Sequence, residues 1–266
     1  MKKIIKYISG IRYLIFNREE KYYEKNINGK KIVTVKGTYT DEWDADFDWY
    51  ILLAKNSKKI YEIGSNMGQT ALLALINANI DKILLVDPNP QALLVANKNV
   101  LINNWIHKTN SYLGFVGKNS GEVINFYTIG KGAAGSMYKS HSETASMINN
   151  FYKVATVTLD YLHSHFCWTP DFIKIDVEGA EALVISGGKE LLKNNAIKVL
   201  VEMHANEELS MLENATKVLN LCIEINYSAW YLKTKERLTS PETISKRGRC
   251  HLLLLPKDIA FPSYLL

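Results

Sequence analysis

Four carboxylates and one imidazole in this 266-residue chain fall where a short apolar run stops, and that placement suggests chemistry. Glu62 stands at the end of the run through Ile63, Asp87 closes residues 82–87, and Asp176 follows residues 172–175. Glu202 and His204 close the run 197–201. As strands of an open α/β sheet, these runs bring all five side chains to the carboxyl ends, where such sheets bind ligands. Carboxylates there can accept from hydroxyls, hold amino groups or take a proton. The period of two along a strand sets Lys174 on the face of Asp176 and Glu202 on the face of His204. A lysine in a central strand is costly unless paired, so Lys174 is expected to neutralise Glu62, Asp176 or Glu202.

Gly64-Ser65-Asn66-Met67-Gly68 separates the strand ending at Ile63 from a helical run at 71–76. Strand, glycine turn and helix bring backbone N–H groups and a helix N-terminus up to a small polar ligand. A dinucleotide fingerprint needs glycines at relative positions 1, 3 and 6. Here they stand at 1 and 5, with Asn66 between them, so a nicotinamide oxidoreductase is disfavoured. Asn66 tolerates a left-handed backbone better than most residues. Asp87 lies 23 positions beyond Gly64, about one helical crossover, where an acid can accept from both hydroxyls of a ribose. Its competing role is to cap the helix at 91–102, which Asp87-Pro88-Asn89-Pro90 opens.

The elements that hold these residues can be read in order. Residues 1–16 space Ile4, Ile8, Ile11 and Ile15 as a helix with Lys2, Lys3, Lys6 and Arg12 interspersed. Such a helix would pack on its own domain, on a second copy in a homodimer, or peripherally on an anionic membrane. Asn28-Gly29 marks a hairpin, and an acidic aromatic stretch from Asp41 to Tyr50 leads into a short helix. Residues 110–116 and 123–128 read as strands, 130–150 as a long loop and 180–192 as one helix. The division expected is a basic extension over 1–50 and a catalytic domain over 51–266. His163, His165 and Cys167 match no structural zinc spacing, and no metal site is assigned.

The first 36 residues hold ten Lys/Arg against three Glu, whereas the other 230 hold 22 basic and 24 acidic groups. A folded body without a basic stripe speaks against a nucleic-acid partner. Three scattered cysteines indicate free thiols in a reducing compartment, hence a cytoplasmic location or one peripheral to the membrane surface. No apolar run is long enough for a membrane span.

Several blocks together resemble a known family. Glu62-Ile63-Gly64-Ser65-Asn66-Met67-Gly68, Asp87-Pro88-Asn89-Pro90, Thr158-Leu159-Asp160, Lys174-Ile175-Asp176-Val177-Glu178-Gly179-Ala180-Glu181 and Val201-Glu202-Met203-His204 are similar to the successive motifs of FkbM-type, S-adenosylmethionine (SAM) dependent class I methyltransferases. The resemblance covers roughly residues 60–204. Glu62 stands where the family more often has Asp, and Asp87 where it more often has Glu. It implies a Rossmann-like, doubly wound α/β sheet of seven strands, mostly parallel with the last antiparallel. Residues 222–230 and 249–255 would be the closing strands, with 233–248 as a polar excursion.

The resemblance also implies SAM as cofactor and S-adenosylhomocysteine as product. Gly64, Ser65, Asn66 and Gly68 would bind the methionine end, Asp87 the ribose, and Asp176 the donor's amino group or the acceptor near the reacting methyl, with Glu62 also in the cofactor site. Asp176, Glu178 and His204 are the catalytic candidates, the last two as bases; the plain alternatives are a helix N-terminal acid and an ordinary strand-end histidine. The strand-end acids would permit a divalent cation without requiring one. The expected activity is O-methylation of a hydroxyl on a sugar, glycolipid or secondary metabolite, a small-molecule or glycan- or lipid-linked acceptor. The rival readings are a nucleic-acid methyltransferase of the same fold and a catalytically silent SAM-binding scaffold.

Overall fold

A computed structural model describes residues 21–27, 29–39, 44, 46–128, 137 and 150–265. The helix expected at 1–16, nearly all of the loop expected at 130–150, and residues 41–43 lie outside these. In chain order the first elements are β1 (Tyr22–Ile27), β2 (Lys30–Val35), α1 (Asp46–Lys55), β3 (Lys59–Ile63), α2 (Gln69–Leu75), β4 (Lys82–Asp87), α3 (Pro90–Ile102), β5 (Thr109–Leu113), β6 (Phe115–Val116) and β7 (Val123–Tyr127). Then come β8 (Phe151–Val157), α4 (Leu159–Phe166), β9 (Phe172–Ile175), α5 (Glu181–Ser186), α6 (Lys189–Asn194), β10 (Lys198–Met203), α7 (Met211–Glu224), β11 (Tyr227–Tyr231), β12 (Glu236–Leu238), α8 (Pro241–Arg247) and β13 (Cys250–Pro256).

The central sheet has the order β12-β11-β13-β10-β9-β3-β4-β5. The β3–β4, β4–β5, β3–β9 and β9–β10 pairs are parallel, and β13 runs antiparallel between β10 and β11. This is the expected class I methyltransferase fold, with β12 as an eighth strand on the edge. Because helices cover both faces, the strands are apolar on both sides. Ile60, Ile83, Leu85, Phe172 and Leu200 pack with α1, α2 and α3, while Tyr61, Leu84, Val86, Ile173, Val199 and Val201 pack with α4 to α8. The period of two thus divides one sheet between two cores.

Strand order reverses between β3 and β9, the switch point at which open sheets leave a crevice. A separate three-stranded sheet, β6-β8-β7, stands beside it. That sheet corrects the single strand read over 110–116. The chain bends at Gly114, where a Cβ would lie 2.8 Å from the Tyr112 ring, and Phe115-Val116 leaves β5 to pair with β8.

Three more boundaries differ from the sequence reading. The helix expected over 180–192 is two helices with Gly187 and Gly188 between them, and Gly187 packs so closely that a Cβ would lie 2.1 Å from the carbonyl oxygen of Gly117. The closing strand begins at Tyr227; Cys222 lies in α7, which Ser210 and Glu213 open with a capping box. The polar excursion over 233–248 contains β12 and α8. Among the described residues no helix is long and apolar enough to cross a membrane.

The β1–β2 hairpin forms as expected, and α3 receives it as an edge strand would. Asn103 accepts from Val33 N at 3.0 Å and donates to Val33 O at 2.7 Å. Asn99, fully buried, accepts from Val35 N at 2.7 Å and donates to Thr38 Oγ1 and Met67 O, each at 2.9 Å. It therefore ties the hairpin to the glycine loop. The 50/51 division falls inside α1, whose Tyr50 donates to Glu62 of β3. Asn99→Ala is expected to destabilise the protein by about 2–4 kcal/mol, since several buried partners lose their bonds at once. A shifted urea midpoint with an unchanged slope would be the signature.

Candidate active site

β3 ends in a turn held almost entirely by the protein itself. Gly64 N and Ser65 N donate to Val86 O at 2.9 and 3.1 Å, and Gly68 N to Ser65 O at 2.8 Å. Asn66 N donates to Asp87 Oδ2 at 2.7 Å. The expectation that these four N–H groups face a ligand is corrected: they fix the loop. What the loop leaves for a ligand is side-chain oxygen. Ser65 Oγ and Asn66 Oδ1 are buried and meet no hydrogen-bond partner among the described residues. Asn66 adopts the left-handed conformation its side chain tolerates, with φ 47°.

Gly64 is required by its neighbour across the switch point. It has φ 81°, and a Cβ would lie 1.8 Å from the carbonyl oxygen of Asp176. Gly68, at φ 80°, leads into α2 and lies against Ala96, where a Cβ would be 3.1 Å from that methyl.

Glu62 lies beneath the loop rather than on it. Fully buried, it accepts from Tyr50 and, at 2.6 Å, from Thr70 Oγ1. Burial raises its pKa, opposed by Lys174, which is its register partner on β9. Its place is to brace β3 against α1 and α2. Asp87, by contrast, borders the crevice. Its oxygens accept from Asn66 N and, at 2.8 Å, from Asn89 N. The helix cap considered for Asp87 is Asn89, which accepts from Gln91 N and Ala92 N. Burial pushes the Asp87 carboxyl up to about 6, and the Asn89 and Asn66 N–H groups oppose that rise.

Two clefts meet at the switch point. One is a slot of about 630 Å³, counted with the solvent-open space at its mouth. Ile63, Val86, Pro88, Ala92, Phe115, Val116, Phe126 and Val177 give it apolar walls, and Asp87 and Asn89 its polar end. The other, about 1,040 Å³, is lined by Tyr39, Phe47, Tyr50 and five acids, Asp44, Asp46, Asp176, Glu178 and Glu202. Lys174, Arg249 and His251 oppose those acids. Gly64, Asn66, Asp176 and Glu178 line both clefts.

Lys174 meets the expectation of a paired buried cation, donating to Asp176 Oδ2 at 2.9 Å. Burial favours its neutral form, but Asp176 and Glu62 hold its proton above the ordinary lysine range. Glu178 is held at φ 51° beside Gly179 at φ 99°, a backbone conformation that costs free energy and recurs at functional sites. Arg249 pairs with Glu202, while His251 lies 3.4 Å from Glu202 and 3.2 Å from Asp46.

His204 lines neither cleft. It is 5% exposed and sits behind the acids, with Nε2 3.4 Å from Glu202, 3.6 Å from Glu178 and 4.0 Å from Asp176. Burial would lower its pKa, but Glu181, Glu202 and Glu178 override that and raise it to about 10. The carboxylates around it thus favour the charged ring. Asp176, Glu202 and His204 bring one ligand atom each within 4.8 Å of one another, the arrangement that could take a cation. Lys174 and Arg249 already neutralise those two carboxylates. His163, His165 and Cys167 do not converge: His163 bonds Thr169, His165 stacks on Tyr161, and the Cys167 thiol donates to Ser164 O. All three cysteines are free thiols.

Sequence reasoning missed Tyr50, Thr70 and Glu181 as partners of the strand-end groups, and Arg249 and Tyr39 as cleft residues. Only Glu181 carried a signal, as the last member of the 174–181 block.

Residues 62–222 match the family model described as the methyltransferase FkbM domain. No curated protein matches the chain. Among solved structures, the FkbM methyltransferase from Methylobacillus flagellatus KT is similar at 16% identity and TM-score 0.47, over 75% of this chain and 44% of that one. An O-methyltransferase from Bacillus cereus in complex with SAH is similar at 11% identity and TM-score 0.44, over 80% and 81%. The B. subtilis tRNA methyltransferase TrmK is similar at 9% identity and TM-score 0.44, over 81% and 66%. This chain thus spans less than half of the first of these, and the family assignment rests on the match over 62–222.

Proposed function

From the premise that this chain belongs to the family of methyltransferases with an FkbM domain, we propose that it methylates a hydroxyl of a sugar, glycolipid or other secondary metabolite, with SAM as donor. The observation that carries this reading is the meeting of an apolar slot and an acidic cleft at Gly64, Asn66, Asp176 and Glu178. The slot suits a flat heterocycle, Asp87 suits a ribose, and the partnerless Ser65 Oγ and Asn66 Oδ1 suit the polar methionine end. When bound, SAM would supply a methyl group activated on a sulfonium, the C–O bond to the acceptor forming as the C–S bond breaks and S-adenosylhomocysteine leaves. The protein's part is to align the two reactants, worth on the order of 7–11 kcal/mol, and to take one proton. Asp176, fixed by Lys174, holds the acceptor hydroxyl. The Glu178 carboxylate takes the hydroxyl proton as the new C–O bond forms and returns it to solvent.

Five acids in the acceptor cleft against Lys174, Arg249 and His251 favour a neutral or cationic acceptor and work against polyanions. The test is methyl transfer from isotope-labelled SAM to panels of neutral sugars, amino sugars, glycolipids, sugar phosphates and RNA. Labelling of a neutral or amino sugar supports the reading. Labelling confined to RNA, or no labelling of any acceptor by protein that binds SAM, contradicts it.

A pH dependence follows from Asp87. With its carboxyl pushed up to about 6, it is an acceptor-only carboxylate above that pH and carries a proton below it. SAM affinity is therefore expected to be flat above neutrality and to fall as pH drops through 6, and calorimetry across that range checks it. Stability without ligand runs the opposite way. A carboxyl raised above its unfolded value of about 3.9 contributes stability that is full below that value and lost as pH rises through 6.

A further inference from the structure

Behind the acids of the acceptor cleft lies a second tier that neither touches acceptor nor lines a cleft. Glu181, the first residue of α5, has no exposed surface and is committed entirely to its neighbours. Its Oε1 accepts from Gly179 N and lies 3.0 Å from His204 Nδ1. Its Oε2 accepts from Asn214 Nδ2 at 2.7 Å, and the same Asn214 amide donates to His204 O at 2.9 Å. Two helices thereby fix one imidazole from below. The other ring nitrogen faces Glu202, Glu178 and Asp176 at 3.4–4.0 Å. An imidazole whose two nitrogens both face carboxylates is matched only when both carry hydrogen.

We infer that Glu181, with Asn214, holds His204 as a permanently charged imidazolium under the cleft floor, and that this buried cation orients Asp176, Glu178 and Glu202 toward the acceptor. Glu181 and His204 are positioning residues, and the carboxylates they support do the chemistry. The groups facing the ring are Asp176 from the end of β9, Glu178 from the following turn, Glu181 from α5 and Glu202 from β10. Lys174 and Arg249 share two of those carboxylates, and His251 a third contact on Glu202. Without a positive ring, three carboxylates would converge with only the cations on their outer sides, and their mutual repulsion would turn them away from one another. The tier thus keeps Glu178 aimed at the cleft. This orienting role rests on the methyltransfer reading; the charge state of the ring does not.

The test is nitrogen-resolved NMR of the histidine side chains of the full-length protein, titrated from pH 6 to 10. Both His204 nitrogens are expected to remain protonated past pH 8, and Glu181→Gln to lower the midpoint by at least about one unit. Asn214→Ala, which leaves the Glu181–His204 contact in place, is expected to shift it less, and it serves if Glu181→Gln does not fold. A second arm compares SAM affinity with turnover on an acceptor found by the screen: Glu181→Gln should leave SAM affinity within about threefold and lower kcat at least about tenfold. A wild-type His204 that titrates near 6.5, or a Glu181→Gln protein with unchanged midpoint and kcat, overturns the inference. Failure to bind SAM with His204 still charged at pH 8 would overturn the methyltransfer reading and leave the charge assignment standing.

Discussion

Gly64→Ala is expected to abolish SAM binding. The added methyl would lie 1.8 Å from the carbonyl oxygen of Asp176, a backbone atom just past the end of β9 that cannot swing aside as a side chain would. That strand end is pinned, because Asp176 N donates to Ile63 O at 3.0 Å and Gly64 N to Val86 O at 2.9 Å. Relief must come from moving the loop off β9 or from displacing Asp176, and either disrupts the residues shared by the two clefts. Overpacking costs roughly 1–3 kcal/mol, and a non-glycine residue at φ 81° adds about 1–3 kcal/mol. Gly121→Ala is the control: its φ is 87°, yet a Cβ there meets nothing within 4 Å. Both variants should lose stability from backbone strain, and only Gly64→Ala should lose SAM by more than about 100-fold. SAM affinity within about threefold of wild type in a folded Gly64→Ala protein would contradict the placement of the donor.

Glu178→Gln is expected to lower kcat by roughly 100- to 10,000-fold while leaving SAM affinity nearly unchanged. The amide keeps the shape and the unusual backbone at φ 51°, so the change removes the proton acceptor and little else. The same substitution at His204 is expected to act indirectly, through the acids it faces, because its ring lines neither cleft. If His204→Gln lowered kcat by as much as Glu178→Gln and moved the alkaline limb of the pH profile, the base would be the imidazole. Steady-state kinetics across pH with the acceptor from the labelling screen separates the two.

The parts of this site that were legible in the sequence are those fixed by local pattern. Apolar runs of strand length, each closed by an acid, marked the parallel strands along the chain and placed Asp87, Asp176 and Glu202 at their ends. A lysine inside one of those runs had to have a carboxylate partner, and Lys174 has Asp176. The parts that escaped depend on contacts between segments far apart in the chain. Nothing near Gly64 announces that its N–H is taken by Val86 on the neighbouring strand, so the loop looked like a backbone cradle for a small polar ligand when its N–H groups bond within the protein. His204 ended a strand like the acids around it, yet Glu181 of α5, 23 residues earlier, faces its ring. Between the two helices Gly187 packs against Gly117, 70 residues earlier, and no periodicity carries that contact. The α7 helix was the avoidable miss, since Ser210 and Glu213 stand three apart before an amphipathic run.

The measurement that bears most directly on the account is calorimetric titration of the full-length protein with SAM and with S-adenosylhomocysteine, alongside Asp87→Ala. The account predicts saturable binding of both at about micromolar Kd, one per chain, and a loss of at least about 10-fold in the variant, where a charged acceptor of ribose hydroxyls and the anchor of Asn66 N are removed together. No heat of binding from folded wild-type protein with either nucleoside, or equal affinity in Asp87→Ala, would contradict it.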